Sequence, residues 1–183
     1  MSRTGIRKVL SAAGLVTAMA LAGPIASASA CKGAGLGPSQ LNPAQAQTTI
    51  ICLMNQRRAK HGAPRLRYDA HLERAAQGHS TAMDAQNVFS HEGDGSPLSR
   101  ITGTGYLSGA RSWGIGENLY WGTGGAGSAR ATVAGWMASP EHRTIMLSRS
   151  FRQVGIGVIV GGSPDGDGGA DATIFTADFG YRH

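Results

Sequence analysis

The sequence predicts an α+β domain, and the order of its periodicities carries that prediction. Residues 42–59 and 69–83 repeat apolar side chains at helical spacing, whereas 154–160 and 173–179 read as two late strands joined by a Gly/Asp loop. Helices first and a small sheet late is the pattern of an α+β fold. No repeat or linker divides the chain, and the 153 of its 183 residues that follow the first thirty suit one domain with a sizeable core.

Residues 1–30 read as a secretory signal. Arg3, Arg7 and Lys8 form a positive start, 9–22 is an uncharged apolar run, and Ala28-Ser29-Ala30 is a small-x-small cleavage pattern. The run falls short of the about 20 residues that a membrane span needs. A secreted, extracellular protein cleaved after Ala30 is therefore expected. Cys31, directly after the cleavage pattern, raises a lipoprotein alternative, although Ala28 stands where a lipoprotein box prefers a larger aliphatic. Cys31 and Cys52 are the two cysteines, and an even count in an exported chain reads as one disulfide. Acylation of Cys31 would instead leave Cys52 free.

Residues 31–40 form a Gly-rich lead-in, and 41–183 form the domain. Asn42-Pro43 opens the first helix, with Pro at an early position, where it is tolerated, and Ile50, Leu53 and Met54 on its apolar face. Gly62-Ala63-Pro64 ends it. Tyr68-Asp69 starts a second helix with Asp69 as N-cap and Leu72, Ala75, Ala76, His79 and Met83 along one face. A short helix is expected over 97–102, a strand over 118–121, and a helix over 128–137 with Val133 and Trp136 inward. Ser139 as N-cap and Pro140 then open another helix.

The formal charge of +6 falls to +3 once the three basic residues of 1–30, which holds no acid, are set aside. Arg57, Arg58, Arg65, Arg67, Arg74, Arg100, Arg111 and Arg130 are scattered along the chain, unlike the clustered basic stripe with aromatics of a nucleic-acid binder. They read as a solvated surface with at most mild attraction to anionic wall polymers or lipid headgroups. Residues 122–127 match G-x-G-x-x-G, but the next strand ends Val160-Gly161-Gly162 without the acid that a dinucleotide site wants. A flexible turn and no nucleotide are expected there. Asp165, Asp167 and Asp171 lack the calcium-loop pattern, because Gly169 and Thr176 stand where ligands belong. No Gly-x-Ser-x-Gly elbow occurs.

Three residues stand out chemically. His142 falls in the first turn of a helix, whose positive end keeps an imidazole neutral and free to accept a metal or a proton. His91 precedes Glu92-Gly93-Asp94-Gly95, a turn that can present it into a groove. Glu117 lies among Gly114, Gly116 and Gly122, where backbone approaches closely. His61 reads as an exposed turn residue, His71 as lying on the outer side of the second helix, and His183 as terminal. His79 shares the apolar stripe and reads as a hydrogen-bonded core residue.

Seven ordered stretches carry a resemblance. They are Leu53-Met54-Asn55-Gln56-Arg57-Arg58, Leu66-Arg67-Tyr68-Asp69, His79-Ser80 through Phe89-Ser90-His91, Gly116-Glu117-Asn118-Leu119, residues 136–143, residues 154–158 and residues 175–180. Together they resemble the bacterial branch of the CAP superfamily, the cysteine-rich secretory, antigen-five and pathogenesis-related proteins, also called SCP domains. The resemblance spans about residues 41–181. It implies a three-layer α-β-α sandwich with a small antiparallel sheet, and a cleft lined in many members by two histidines and two glutamates.

His91, Glu117 and His142 match three of that quartet, and the second glutamate falls on Ser139. Glu141, as the neighbour of His142 on a helix, is expected to point about 100° away from it. Two histidines and one carboxylate suffice for Zn²⁺ or another divalent cation with water in an open position. A spare carboxylate to act as base is missing, and no His-Glu-x-x-His motif replaces it. The expected function is a monomeric extracellular binding module whose ligand is a cell-envelope component, a lipid or a partner protein. A metal-assisted hydrolase of peptide or envelope substrates, with Glu117 and His142 catalytic, is the competing reading. A lipid carrier ranks third.

Overall fold

The computed structural model describes residues 31–166 and 169–183. The expected signal segment, 1–30, and Asp167 lie outside the described residues. Helix α1 spans Pro43–Lys60, strand β1 Arg67–Tyr68, α2 Ala70–Gln86, α3 Pro97–Gly103, β2 Trp113–Thr123, α4 Ala129–Ala138, α5 Pro140–Leu147, β3 Gln153–Val160 and β4 Ala172–Arg182. The helix starts follow local chemistry. Asn42 accepts from the N–H groups of Ala44 and Gln45, Asp69 from those of His71 and Leu72, and Ser96 and Ser128 cap α3 and α4. The Cys31–Cys52 disulfide ties the lead-in to α1 across 21 residues, with a Cα–Cα distance of 5.8 Å.

The sheet order is β1-β3-β4-β2. β4 pairs antiparallel with both β3 and β2, while β1 runs parallel to β3. The sheet is thus mixed rather than wholly antiparallel. Asp69 caps α2 at Ala70 as expected, while Tyr68, read with it as part of the helix start, pairs with Val154 and supplies the parallel strand. β2 also runs well beyond 118–121 in both directions, because it pairs with β4 along its whole length. The G-x-G-x-x-G stretch closes as a 3-10 turn, Gly124–Gly127, between β2 and α4.

Alternation along the strands assigns the layers. Val154, Ile156 and Val158 of β3 and Phe175, Ala177 and Phe179 of β4 face α1, α4 and α5, where Ile50, Met54, Val133, Trp136 and Met146 complete the main core. The opposite face meets α2. There Gly155 and Gly157 leave room for helix backbone: a Cβ on Gly155 would stand 1.9 Å from the Glu73 nitrogen, and one on Gly157 2.2 Å from the Ala76 carbonyl oxygen. α2 therefore lies directly on β3 and fixes the depth of His79.

One buried cation locks the first layer. The Arg58 guanidinium donates to the carbonyls of Pro64, Met146 and Phe151, joining α1 to the end of α5 and the approach to β3. Burial, with Arg152 nearby, lowers its pKa to about 10. It stays charged at neutral pH.

Candidate functional site

β2 is an edge strand, so loops and helices from both faces of the sheet reach around it. α2 ends at Asn87 in the left-handed conformation (φ 52), which turns the chain into the loop bearing His91. α5 brings His142 from the other face. Between them Gly116 offers no side chain, and a Cβ there would press on Phe151 and Ile145 at 3.0–3.1 Å. The result is a cavity of about 380 Å³ whose wall includes His91, Glu92, Glu117, Glu141, His142 and Ile145. All three sequence-predicted site residues line it.

Glu117 organises the polar floor. It is only 5% exposed. Its Oε1 accepts from His91 Nδ1 at 2.7 Å and its Oε2 from Arg100 at 2.6 Å. Burial pushes the carboxyl pKa up, but the hydrogen bond from His91 and the Arg100 charge outweigh it and hold the group below the usual range. The same bond raises the His91 pKa. His142 shifts the other way: burial lowers its pKa, and the neighbouring His91 adds to the effect. The two imidazoles are thus polarised in opposite senses.

Ser139 is the N-cap residue of α5, as expected, but its side chain has another partner. Its backbone begins α5, but its side chain makes no cap bond; Oγ meets His142 Nδ1 at 2.8 Å instead. Each imidazole is therefore anchored through Nδ1, by Glu117 or by Ser139. Among the described residues neither Nε2 takes a hydrogen bond. Glu141 also departs from expectation, lining the cavity rather than turning away. It is exposed on the first turn of α5.

Three contributors were not recognised as such in the sequence. Arg100, carried by α3, bonds Asp94 at 2.9 Å, the His91 carbonyl at 3.1 Å and the Gly95 carbonyl, as well as Glu117. It clamps the His91 loop to β2. His79 is a buried core histidine, as expected, with Nδ1 on Asp94 at 2.6 Å, but its unpartnered Nε2 stands 3.9 Å from Glu117 Oε1. Asp178 is fully buried opposite Glu117 in the β2–β4 register. Burial, then the Glu117 charge, raises its pKa well above the ordinary carboxylate value. The only sequence signals for these were the Ser96-Pro97 helix start, which sets the phase of Arg100, and the strand alternation, which turns Asp178 away from Phe179. His71, expected on the outside, is half-buried with Nδ1 2.6 Å from the Thr104 carbonyl.

Among the described residues, no group of three or more His, Cys, Asp or Glu side chains is arranged to hold an ion. Both Glu117 oxygens are engaged, and of the histidines in the cavity wall, His91 and His142, each leaves its Nε2 unengaged. That pattern, a ring fixed through one nitrogen with the other left open, is the one in which histidines ligate metals.

The comparisons agree with this architecture. The model of the Cysteine-rich secretory protein family, CAP, matches residues 52–179. YkwD of Bacillus subtilis is 30% identical over 121 residues, 62% of this chain and 42% of that protein. This chain therefore spans less than half the length of that relative. An extracellular SCP-domain protein from Bacillus anthracis superposes with a TM-score of 0.59 at 26% identity, over 77% of this chain and 41% of its own. An outer surface protein of Borrelia burgdorferi shares the fold with a TM-score of 0.59 at 20% identity, over 73% of this chain and 90% of its own. Family match, layer order and sheet converge: the chain belongs to the CAP family.

Proposed function

We propose that the chain is an extracellular CAP-domain binding module whose cavity holds a ligand, with a divalent cation as its simplest occupant. The observation that carries this reading is the double anchoring of Nδ1, which leaves the Nε2 atoms of His91 and His142 as the available donors of one cavity. Glu117 orients His91 from behind. A cation bound there supplies a Lewis acid for an anionic or carbonyl group of an envelope ligand. With two anchored donors, binding is weak and reversible. Extracellular placement draws on the B. anthracis and B. burgdorferi proteins, and no helix among the described residues is long and apolar enough to cross a membrane. Histidine-detected NMR during zinc addition tests the reading. The Nε2 signals of His91 and His142 shift while those of His61 and His71 do not; shifts spread evenly over all histidines contradict it.

A second reading rests on the polarised pair. His91, whose pKa is raised, and His142, whose pKa is lowered, face one cavity as the better proton holder and the better proton acceptor of a pair, the division that hydrolysis uses. Turnover of peptide or envelope substrates that His142→Ala abolishes without unfolding would favour it over binding alone.

A further inference from the structure

The opposite edge of the sheet carries a feature that the His/Glu cavity does not use. β1 is the other edge strand, and two grooves larger than the cavity flank it. One, of about 590 Å³, runs between β1 and α1 and includes Arg65, Arg67 and Tyr68 in its wall. The other, of about 580 Å³, is lined by Pro64, Arg65, Arg67, Tyr68, Arg152 and Gln153. Arginines far apart in sequence thus meet here, contrary to the scattered surface that the sequence suggested.

Their charge is not neutralised. Among the described residues Arg65 and Arg67 make no ion pair or side-chain hydrogen bond. Arg152 donates to the carbonyls of Arg149, Ser150 and Phe151, which are neutral. The bordering carboxylates are occupied, Asp69 by the α2 cap, Gln153 and Arg182, and Glu73 by Gln47. Arg152 is close enough to disfavour charge on buried Arg58, so positive potential accumulates at this edge. Tyr68 stands in the middle, 56% exposed.

The geometry points to the β1 edge as a binding strip for a linear polyol-phosphodiester polymer. Its phosphates are held by Arg65, Arg67 and Arg152, and its polyol units lie against the Tyr68 ring. Arginine forks match phosphate oxygens in pairs, and grooves on both sides of a short strand suit a chain rather than a flat surface. A membrane surface would want apolar side chains beside the arginines. The other large exposed apolar residues, Val88, Phe89, Leu98 and Trp113, belong to the α2–α3 loop, α3 and β2 instead. Single-stranded nucleic acid is bound on several stacked aromatics, whereas one exposed ring lies here. The choice of a polyol polymer rests on the extracellular placement proposed above; the strip itself does not depend on the His/Glu cavity.

Fluorescence anisotropy with labelled poly(glycerol phosphate) tests it on the chain from residue 31. Between about 50 and about 200 mM salt the affinity falls about tenfold, as a few released counterions require. Arg65→Gln/Arg67→Gln leaves the circular dichroism unchanged, weakens binding about tenfold or more, and reduces the log–log salt slope by about 0.7 per lost contact. His91→Ala/His142→Ala binds the polymer like the wild type, which separates this strip from the cavity. Equal binding by the double arginine variant, or no binding by the wild type, overturns the proposal. Tighter binding to phosphatidylglycerol vesicles or to single-stranded DNA than to the polymer overturns it in favour of those partners.

Discussion

Glu117 and Asp178 are register partners across β2 and β4, two buried carboxyls whose pKa values shift in opposite directions. His91 and Arg100 keep Glu117 ionised. Burial, then the Glu117 charge, raises the Asp178 pKa well above its ordinary value.

That arrangement has a stability signature. The folded state binds the Asp178 proton more tightly than the unfolded chain. Stability is therefore lost as pH rises from the ordinary carboxylate value of 3.8 towards the raised one. Asp178→Asn, of equal shape and able to donate to Glu117, is expected to stabilise the protein at neutral pH by roughly 1 kcal/mol, about 2–4 °C in Tm. The gain disappears below the ordinary carboxylate range. Thermal melts across pH check this, and a less stable variant at neutral pH contradicts it.

Glu117 also sets the difference between the two histidines. In Glu117→Gln the His91 pKa is expected to fall and that of His142 to rise, as His91 loses its charge at lower pH. NMR titration of the imidazole protons reads both. Unchanged values would mean that the rings do not sense Glu117.

The seating of α2 depends on β3 lacking side chains at two positions. Gly157→Ala puts a methyl group into the Ala76 carbonyl, backbone against backbone, with no flexible side chain to yield. A loss of about 3 kcal/mol or failure to fold is expected, at the upper end of overpacking costs. Chemical denaturation measures it, and a change below about 1 kcal/mol would show that α2 sits less closely than described.

How much of this was legible in the sequence depended on whether the signal was local. Caps at Asn42, Asp69, Ser96 and Ser128, the prolines after them and the alternation of β3 and β4 are local, and those elements stand where the periodicity placed them. β1 was missed because two residues carry no period; only pairing with β3 makes them a strand. His91, Glu117 and His142 were picked out by residue type and family pattern. Arg100, Asp178 and the Nε2 face of His79 were not, because each acquires its role from a partner distant in sequence. Ser139 is the N-cap that the sequence indicated, but local pattern does not fix whether its hydroxyl serves the backbone or the His142 ring.

The ligand-binding pair proposed for the cavity is His91 and His142, through their free Nε2 nitrogens. Calorimetric titration of zinc into the wild type and His91→Ala/His142→Ala tests it most directly. The account predicts weak saturable heat in the wild type that fades as pH falls, because protons compete for both rings and do so first at His91, whose pKa is raised. It predicts no such heat in the double variant. Equal heat in both proteins, or none in the wild type at neutral pH, would contradict it.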